Sequence, residues 1–187
     1  IVDTTRELGL GQTTGSRGTL MGAGAVKAAC KSARAANCEK GVDHLGEYRV
    51  DWTTKLGDPG VQNPIIHSTF GYAAQLVTVN RESGKIDHVV AAHDVGRAVN
   101  PQLCEGQIEG SVHMGLGYAL SEDFPSDPET GFPTNKTLRS LGIIRAKDVP
   151  KISVQLVESA QPNSPYGIKG VGEIGLVPTA GAVAAAP

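Results

Sequence analysis

Glycine constrains this chain more than any other residue. It supplies 24 of 187 positions, about 13% against about 7% in average usage. Without a repeat, glycine at that level points to tight turns and to backbone that must approach something closely. It gathers in three places. Gln12-Thr13-Thr14-Gly15-Ser16-Arg17-Gly18 precedes a helical pattern, residues 105–117 carry four glycines inside another helical pattern, and Tyr166-Gly167-Ile168-Lys169-Gly170-Val171-Gly172-Glu173-Ile174-Gly175 is a loop.

Each has a plain reading beside a functional one. In the first, backbone N–H groups at a helix start, Thr and Ser hydroxyls and Arg17 suit an anion such as a phosphate; a helix capped by Ser16 or Thr19 explains the same residues. No Gly-Lys-Ser/Thr follows, so it is not a Walker loop. In the second, four helical glycines cost about 3–4 kcal/mol relative to Ala. Close approach of another backbone or a ligand must offset that. Gln107, Gly110, Met114 and Gly117 share a face, which sets an amide over a flat surface. In the third, Gly170-x-Gly172-x-x-Gly175 matches the dinucleotide fingerprint, but no strand feeds it and no partner acid follows about 20 residues on. What remains is Glu173, walled by glycines and apolar side chains. That setting predicts a partly desolvated carboxylate, a better base near neutral pH, or else a carboxylate favoured by a helix N-terminus.

The remaining pattern is α+β, with a mixed or antiparallel sheet and packed Gly- and Ala-rich helices. Ile1 and Val2 read as a strand end running into a loop. Leu20 to Lys40 reads as a helix stopped by Gly41, with Ala23, Val26, Cys30 and Ala33 on its apolar face. Tyr48 to Thr54 reads as a strand. Tyr72 to Val79 and Ile86 to Val95 form a hairpin. Asn100-Pro101 opens a helix running to about Ser121, residues 122–137 are an exposed loop, Ile152 to Val157 is a strand, and Val177 begins a small-residue helix. The two halves 1–64 and 65–187 are possible subdomains. A net charge of −2 with no Lys/Arg block argues against nucleic acid or an anionic membrane. No apolar run reaches a membrane span of about 18 residues. Three scattered cysteines fit a reducing cytoplasm and no iron–sulfur set. The five histidines show no metal-ligand spacing, so no metal ligand is assigned; each reads first as a solvated or hydrogen-bonded structural residue, with His93-Asp94 at a strand end as a candidate orienting pair.

In order, these motifs resemble the C-terminal part of the molybdopterin-binding domain of molybdenum hydroxylases, the xanthine dehydrogenase / aldehyde oxidase family. They are most similar to the bacterial branch described as selenium-dependent xanthine dehydrogenases. The resemblance is carried by Asp3-Thr4, Gly15-Ser16-Arg17, residues 91–97 (AAHDVGR), Asn100-Pro101, residues 105–110 (EGQIEG), residues 115–120 (GLGYAL) and residues 169–173 (KGVGE). It implies that residues 1–187 are a truncated piece of that domain, inactive when isolated. It implies that Gly15, Ser16, Arg17 and Gly18 hold the phosphate end of the molybdenum–molybdopterin cofactor, that Gln107 hydrogen-bonds the pterin, and that Gly172 lies against it. Glu173 matches the family's catalytic glutamate beside the molybdenum. In that chemistry an electron-poor carbon of a purine, other N-heterocycle or aldehyde is hydroxylated, and electrons leave through iron–sulfur and FAD domains or subunits elsewhere. The upstream half of the domain would be a further partner. Two departures stand out. Ile174-Gly175 replaces two prolines that often follow the glutamate, and Met114 stands where the glycine helix often has Gln. The competing reading is a non-catalytic assembly or interaction domain whose glycines serve only helix packing. Convergence of Ser16, Gln107 and Glu173 on one cleft separates the two.

Overall fold

The computed structural model describes Thr5, residues 12–55 and residues 57–186. The expected strand end at Ile1 and Val2 and the Asp3-Thr4 match lie outside the described residues.

The hairpin forms where alternation predicts it. β1 (Ala73–Val79) and β2 (Ile86–Asp94) pair antiparallel, with Ala73 opposite His93 and a register shift at Thr78/Val79. Asn80 closes the connection, its Oδ1 accepting from the Glu82 and Ser83 N–H groups. α2 (Pro101–Leu120) starts as its sequence dictates: the Asn100 side chain accepts from the Leu103 N–H at 3.1 Å and Pro101 occupies the first turn. The chain then returns as β3 (Lys151–Val157), parallel to β2, so the sheet runs β1-β2-β3. A parallel pair requires such a crossover, and α2 supplies it. α3 (Thr179–Ala185) follows.

One sheet face carries Val77, Val89 and Ala91. Onto it α2 lays Ile108, Val112 and Leu116, all fully buried, with Ala182 and Val183 of α3 closing the side. The α+β class and the mixed sheet are as expected.

α1 (Gly18–Ala35) departs from expectation at its end and on its face. It stops five residues before Lys40, because Asn37 and Cys38 turn left-handed (φ 56° and 52°) and the Cys38 N–H bonds back to the Ala33 carbonyl at 2.8 Å. Its buried residues are Leu20 and Gly24, whereas Val26 and Cys30 of the expected apolar face are exposed. The reason is size. Gly24 lies under the Tyr48 ring, where a Cβ would come within 2.2 Å, and Gly46 lies against the Ala25 carbonyl. Residues 48–54 therefore lie along α1 and against residues 65–68, through Thr54 N–H to Ile65 O at 2.7 Å and Trp52 Nε1 to Ser68 O at 3.0 Å. With a helix as neighbour they have no ladder to join. The predicted strand at Tyr48 to Thr54 is not formed.

The α2 glycines divide into two kinds. A Cβ on Gly115 would meet Thr179 of α3 at 2.6 Å, while Gly106 and Gly110 have open space before them. Gly115→Ala should therefore destabilise the protein by about 1–3 kcal/mol through overpacking. Gly106→Ala should stabilise it by about 1 kcal/mol through helix propensity. Urea unfolding midpoints of the two variants are expected to move in opposite directions; shifts of one sign would refute the division.

Candidate functional site

All three glycine constellations meet across the chain. Gly15 and Ser16 both adopt left-handed backbone (φ 61° and 57°), and the turn they form runs into α1 with Arg17 at the N-cap position. Neither Ser16 nor Thr19 caps the helix: no side chain accepts from its first turn. The left-handed turn carries Ser16 toward the third constellation instead. A Cβ on Gly172 would lie 2.3 Å from Ser16 Oγ and 3.9 Å from Gln107 Oε1; one on Gly170 would lie 3.1 Å from Ser16 O. A Cβ at either position would have to displace Ser16, its hydroxyl at 172 and its backbone at 170. Segments around 16, 107 and 172 are thus brought to one place.

A cavity of about 310 Å³ opens at this junction, its wall largely apolar (Val95, Val99, Leu103, Ile168 and Val171), with Ser16, Thr19, Arg97, Asn100, Gln107 and Lys169 also lining it. Among the described residues neither the Ser16 hydroxyl nor the Gln107 amide has a hydrogen-bond partner. Beside the uncapped first turn of α1, these two groups stand as free donors on a largely apolar concave surface, a lining suited to the face and one polar edge of a heterocycle. Arg17 is engaged otherwise. Its guanidinium donates to the Gln12 carbonyl from Nε at 3.2 Å and from Nη2 at 2.6 Å, bracing the turn. Arg17 also lines a second cavity of about 360 Å³ with Thr14, Gly15 and Arg49. Gly18 opens α1 in contact range of the Thr13 methyl. Among the described residues no group of three or more His, Cys, Asp or Glu side chains gathers where a metal ion could sit.

Glu173 differs from expectation. It begins a single 3₁₀ turn, Glu173–Gly175, and it is exposed rather than desolvated. Three residues per turn spread three side chains around the axis, and the inward directions are taken. Ile174 Cδ1 reaches the position a Cβ on Gly71 would occupy, and Gly175 is buried against Ser111 Oγ and the Ile108 carbonyl. Glu173 is left to face outward, next to Gly172 but not among the residues lining the cavity.

His93 and Asp94 do not form a pair with each other, because successive strand residues point to opposite faces. Asp94 bonds Lys169 Nζ at 2.5 Å and accepts the Gly96 N–H at 3.0 Å. His93, fully buried, meets Gln75 instead. Gln75 Nε2 donates to the Gly175 carbonyl at 2.7 Å and lies 3.4 Å from His93 Nε2. His93 Nε2 is then the acceptor, and His93 Nδ1 has no partner. Thr179 Oγ1 donates to the same Gly175 carbonyl at 2.9 Å. Lys169 and Gln75 were not among the expected site residues, and Asp94 was expected only as the partner of His93. The available signal was a Lys and an Asp embedded in apolar and glycine runs, charges that require partners when buried.

With this geometry in hand, likeness to known proteins becomes informative. Residues 33–150 match the molybdopterin cofactor-binding domain family. The chain belongs to that family, within the molybdenum hydroxylases. It is 32% identical over 145 residues to the putative xanthine dehydrogenase molybdenum-binding subunit of Escherichia coli K12, covering 78% of this chain and 18% of that protein. The crystal structure of the aldehyde oxidoreductase from Desulfovibrio gigas superposes with a TM-score of 0.70 at 26% identity, over 89% of this chain and 20% of that one. The aldehyde oxidoreductase of Desulfovibrio desulfuricans shares the fold (TM-score 0.72, 24% identity) over 92% of this chain and 20% of its own. The chain spans about a fifth of the length of these relatives. Of the expected site residues, only Gln107 falls within the family match. No helix among the described residues is long and apolar enough to cross a membrane.

Burial holds the His93 pKa below its ordinary value of about 6.5. The unfolded chain takes up a proton there as pH falls through about 6.5, while the folded chain resists, so acidification costs stability until the depressed folded pKa is passed. His93→Leu should flatten this dependence, bringing the urea midpoints at about pH 7.5 and 5.5 closer together than in the parent. An unaltered gap would place the acid sensitivity elsewhere.

Proposed function

We propose that this chain forms part of the cofactor site of a molybdenum-dependent hydroxylase, acting on an electron-poor carbon of a purine, another N-heterocycle or an aldehyde. The observation that carries this reading is the seating of Gly172 between Ser16 and Gln107, with Glu173 as the next residue. Free donors on a concave surface fit a pterin with a phosphate end, so the cofactor is compatible with the residues present. Gly15, Ser16 and Gly18 would hold the phosphate through N–H and hydroxyl groups, with Arg17 bracing that turn. Gln107 would bond the pterin edge and Gly172 would let it approach. The cofactor, when bound, supplies the two-electron redox chemistry.

Glu173 is assigned as the base, accepting at its carboxylate the proton released as oxygen adds to the substrate carbon. It is exposed in the 187 residues, so desolvation has to come from surfaces these residues do not provide. Relatives about five times longer support an upstream half of the domain in that place, with iron–sulfur and FAD domains or subunits accepting electrons. A cytoplasmic setting goes with this reading. The rival, glycines serving only packing in an assembly domain, accounts for Gly115 against Thr179 but not for the open Gly106 and Gly110 beside Gln107.

In the full-length enzyme, Glu173→Gln should lower kcat by about 10²–10⁴-fold while molybdenum and pterin remain stoichiometric. Gly172→Val should instead lower the bound pterin, because its side chain fills the gap between Ser16 and Gln107. Full activity in the first variant would end the base assignment; undiminished pterin in the second would end the cofactor seat.

A further inference from the structure

The stretch that carries Gly172 and Glu173 is packed through Val171 and Ile174 but has few hydrogen bonds of its own. Among the described residues, the N–H groups of Val171, Gly172 and Glu173 have no hydrogen-bond partner; the next backbone bond is Leu176 N–H to Glu173 O at 3.0 Å. The stretch is suspended between two anchors. Downstream, the Gly175 carbonyl accepts from Gln75 and Thr179. Upstream, Lys169 Nζ meets Asp94 Oδ2 at 2.5 Å, with side chains only 8% and 7% exposed.

The upstream anchor is built with care for its direction. Asp94 is itself oriented, since its Oδ1 accepts the Gly96 N–H at 3.0 Å. The backbones beside it are stitched together by Arg97 N–H to Gly167 O at 3.0 Å and Lys169 N–H to Val95 O at 3.3 Å. Gly96 (φ +65°) permits this approach, because a Cβ there would lie 2.7 Å from the Lys169 nitrogen. Lys169 also lines the cavity shared by Ser16 and Gln107. Neutralised by Asp94, its ammonium presents little net charge to that cavity, and its consequence is geometric.

We propose that the buried Lys169–Asp94 pair is a positioning device that fixes the Gly170–Glu173 stretch, setting how Gly172 seats against Ser16 and Gln107 and where Glu173 stands. The catalytic consequence rests on the reading of Glu173 as the base; the mechanical one does not. A base displaced by an ångström loses rate before it loses substrate affinity, so the pair should act on kcat more than on KM.

The test uses the full-length enzyme carrying Asp94→Asn with Lys169→Met, which strands no charge and leaves an oxygen for the Gly96 N–H, beside Lys169→Arg. Amide hydrogen exchange is followed at Lys169 and Gly170, whose N–H groups bond Val95 O and Thr69 Oγ1, with the α2 amides as the internal standard. In the double variant, exchange at 169–170 should accelerate about tenfold with α2 unchanged, and kcat should fall about tenfold or more with KM within about twofold. Lys169→Arg should restore both. Unchanged exchange at 169–170, or equal acceleration in α2, would overturn the positioning role. Faster exchange at 169–170 alone with kcat unaltered would uphold that role and overturn Glu173 as the base.

Discussion

Close approach of neighbouring groups to glycine backbone is the constraint on which the remaining structure depends. Where Gly96 meets residues 167–169, where Gly172 meets Ser16, and where Gly175 meets Ser111, an ordinary Cβ would overlap a neighbouring atom. These contacts bring together turns as far apart in sequence as Ser16 and Gly172. The main cluster of buried apolar side chains lies elsewhere, between the sheet and α2. Core and site are therefore built by different means. The core is built by burial, which tolerates changes of shape among apolar side chains. The site is built by the absence of side chains, which tolerates almost none.

That difference explains what the sequence discloses. Elements with a period were legible: the alternation of Ala73–Val79 and Ile86–Asp94 gives the hairpin, and Asn100-Pro101 gives the start of α2. Elements defined by what packs on them were not. Residues 48–54 have a strand's composition, but their neighbour is α1, and nothing local in the sequence says that Gly24 and Gly46 are the contact points. The same holds for α1, whose apolar spacing points to Val26 and Cys30 while its glycine and alanines make the contact. The glycine clusters were legible as places of close approach. Which cluster meets which is a long-range fact, and it came from family resemblance rather than from spacing.

Glu173 shows how far a local description of a carboxylate can carry. Glycine and apolar neighbours in sequence imply a dry setting only if they surround the side chain in space. Here Ile174 and Gly175 turn inward and direct Glu173 outward. For a base this is an incomplete environment, because open solvent in front of the carboxylate leaves nothing to hold a substrate against it. Catalysis at this position requires a second wall, and the seating of Gly172 determines where that wall must stand.

The two anchors of the 170–174 stretch differ in kind, and the difference is physically sensible. The Gly175 carbonyl is fixed by two neutral donors, Gln75 and Thr179, which suits a buried acceptor with two lone pairs. Lys169 and Asp94 are a buried ion pair, and such a pair gains little net stability over apolar replacements because desolvation offsets the attraction. What an ion pair adds is direction, since a misplaced ammonium would leave two charges buried without partners. A stretch whose own N–H groups are unbonded gains most from that intolerance. Packing of Val171 and Ile174 holds the stretch in place, and on the proposal above the cost of every alternative position of Lys169 sets its direction.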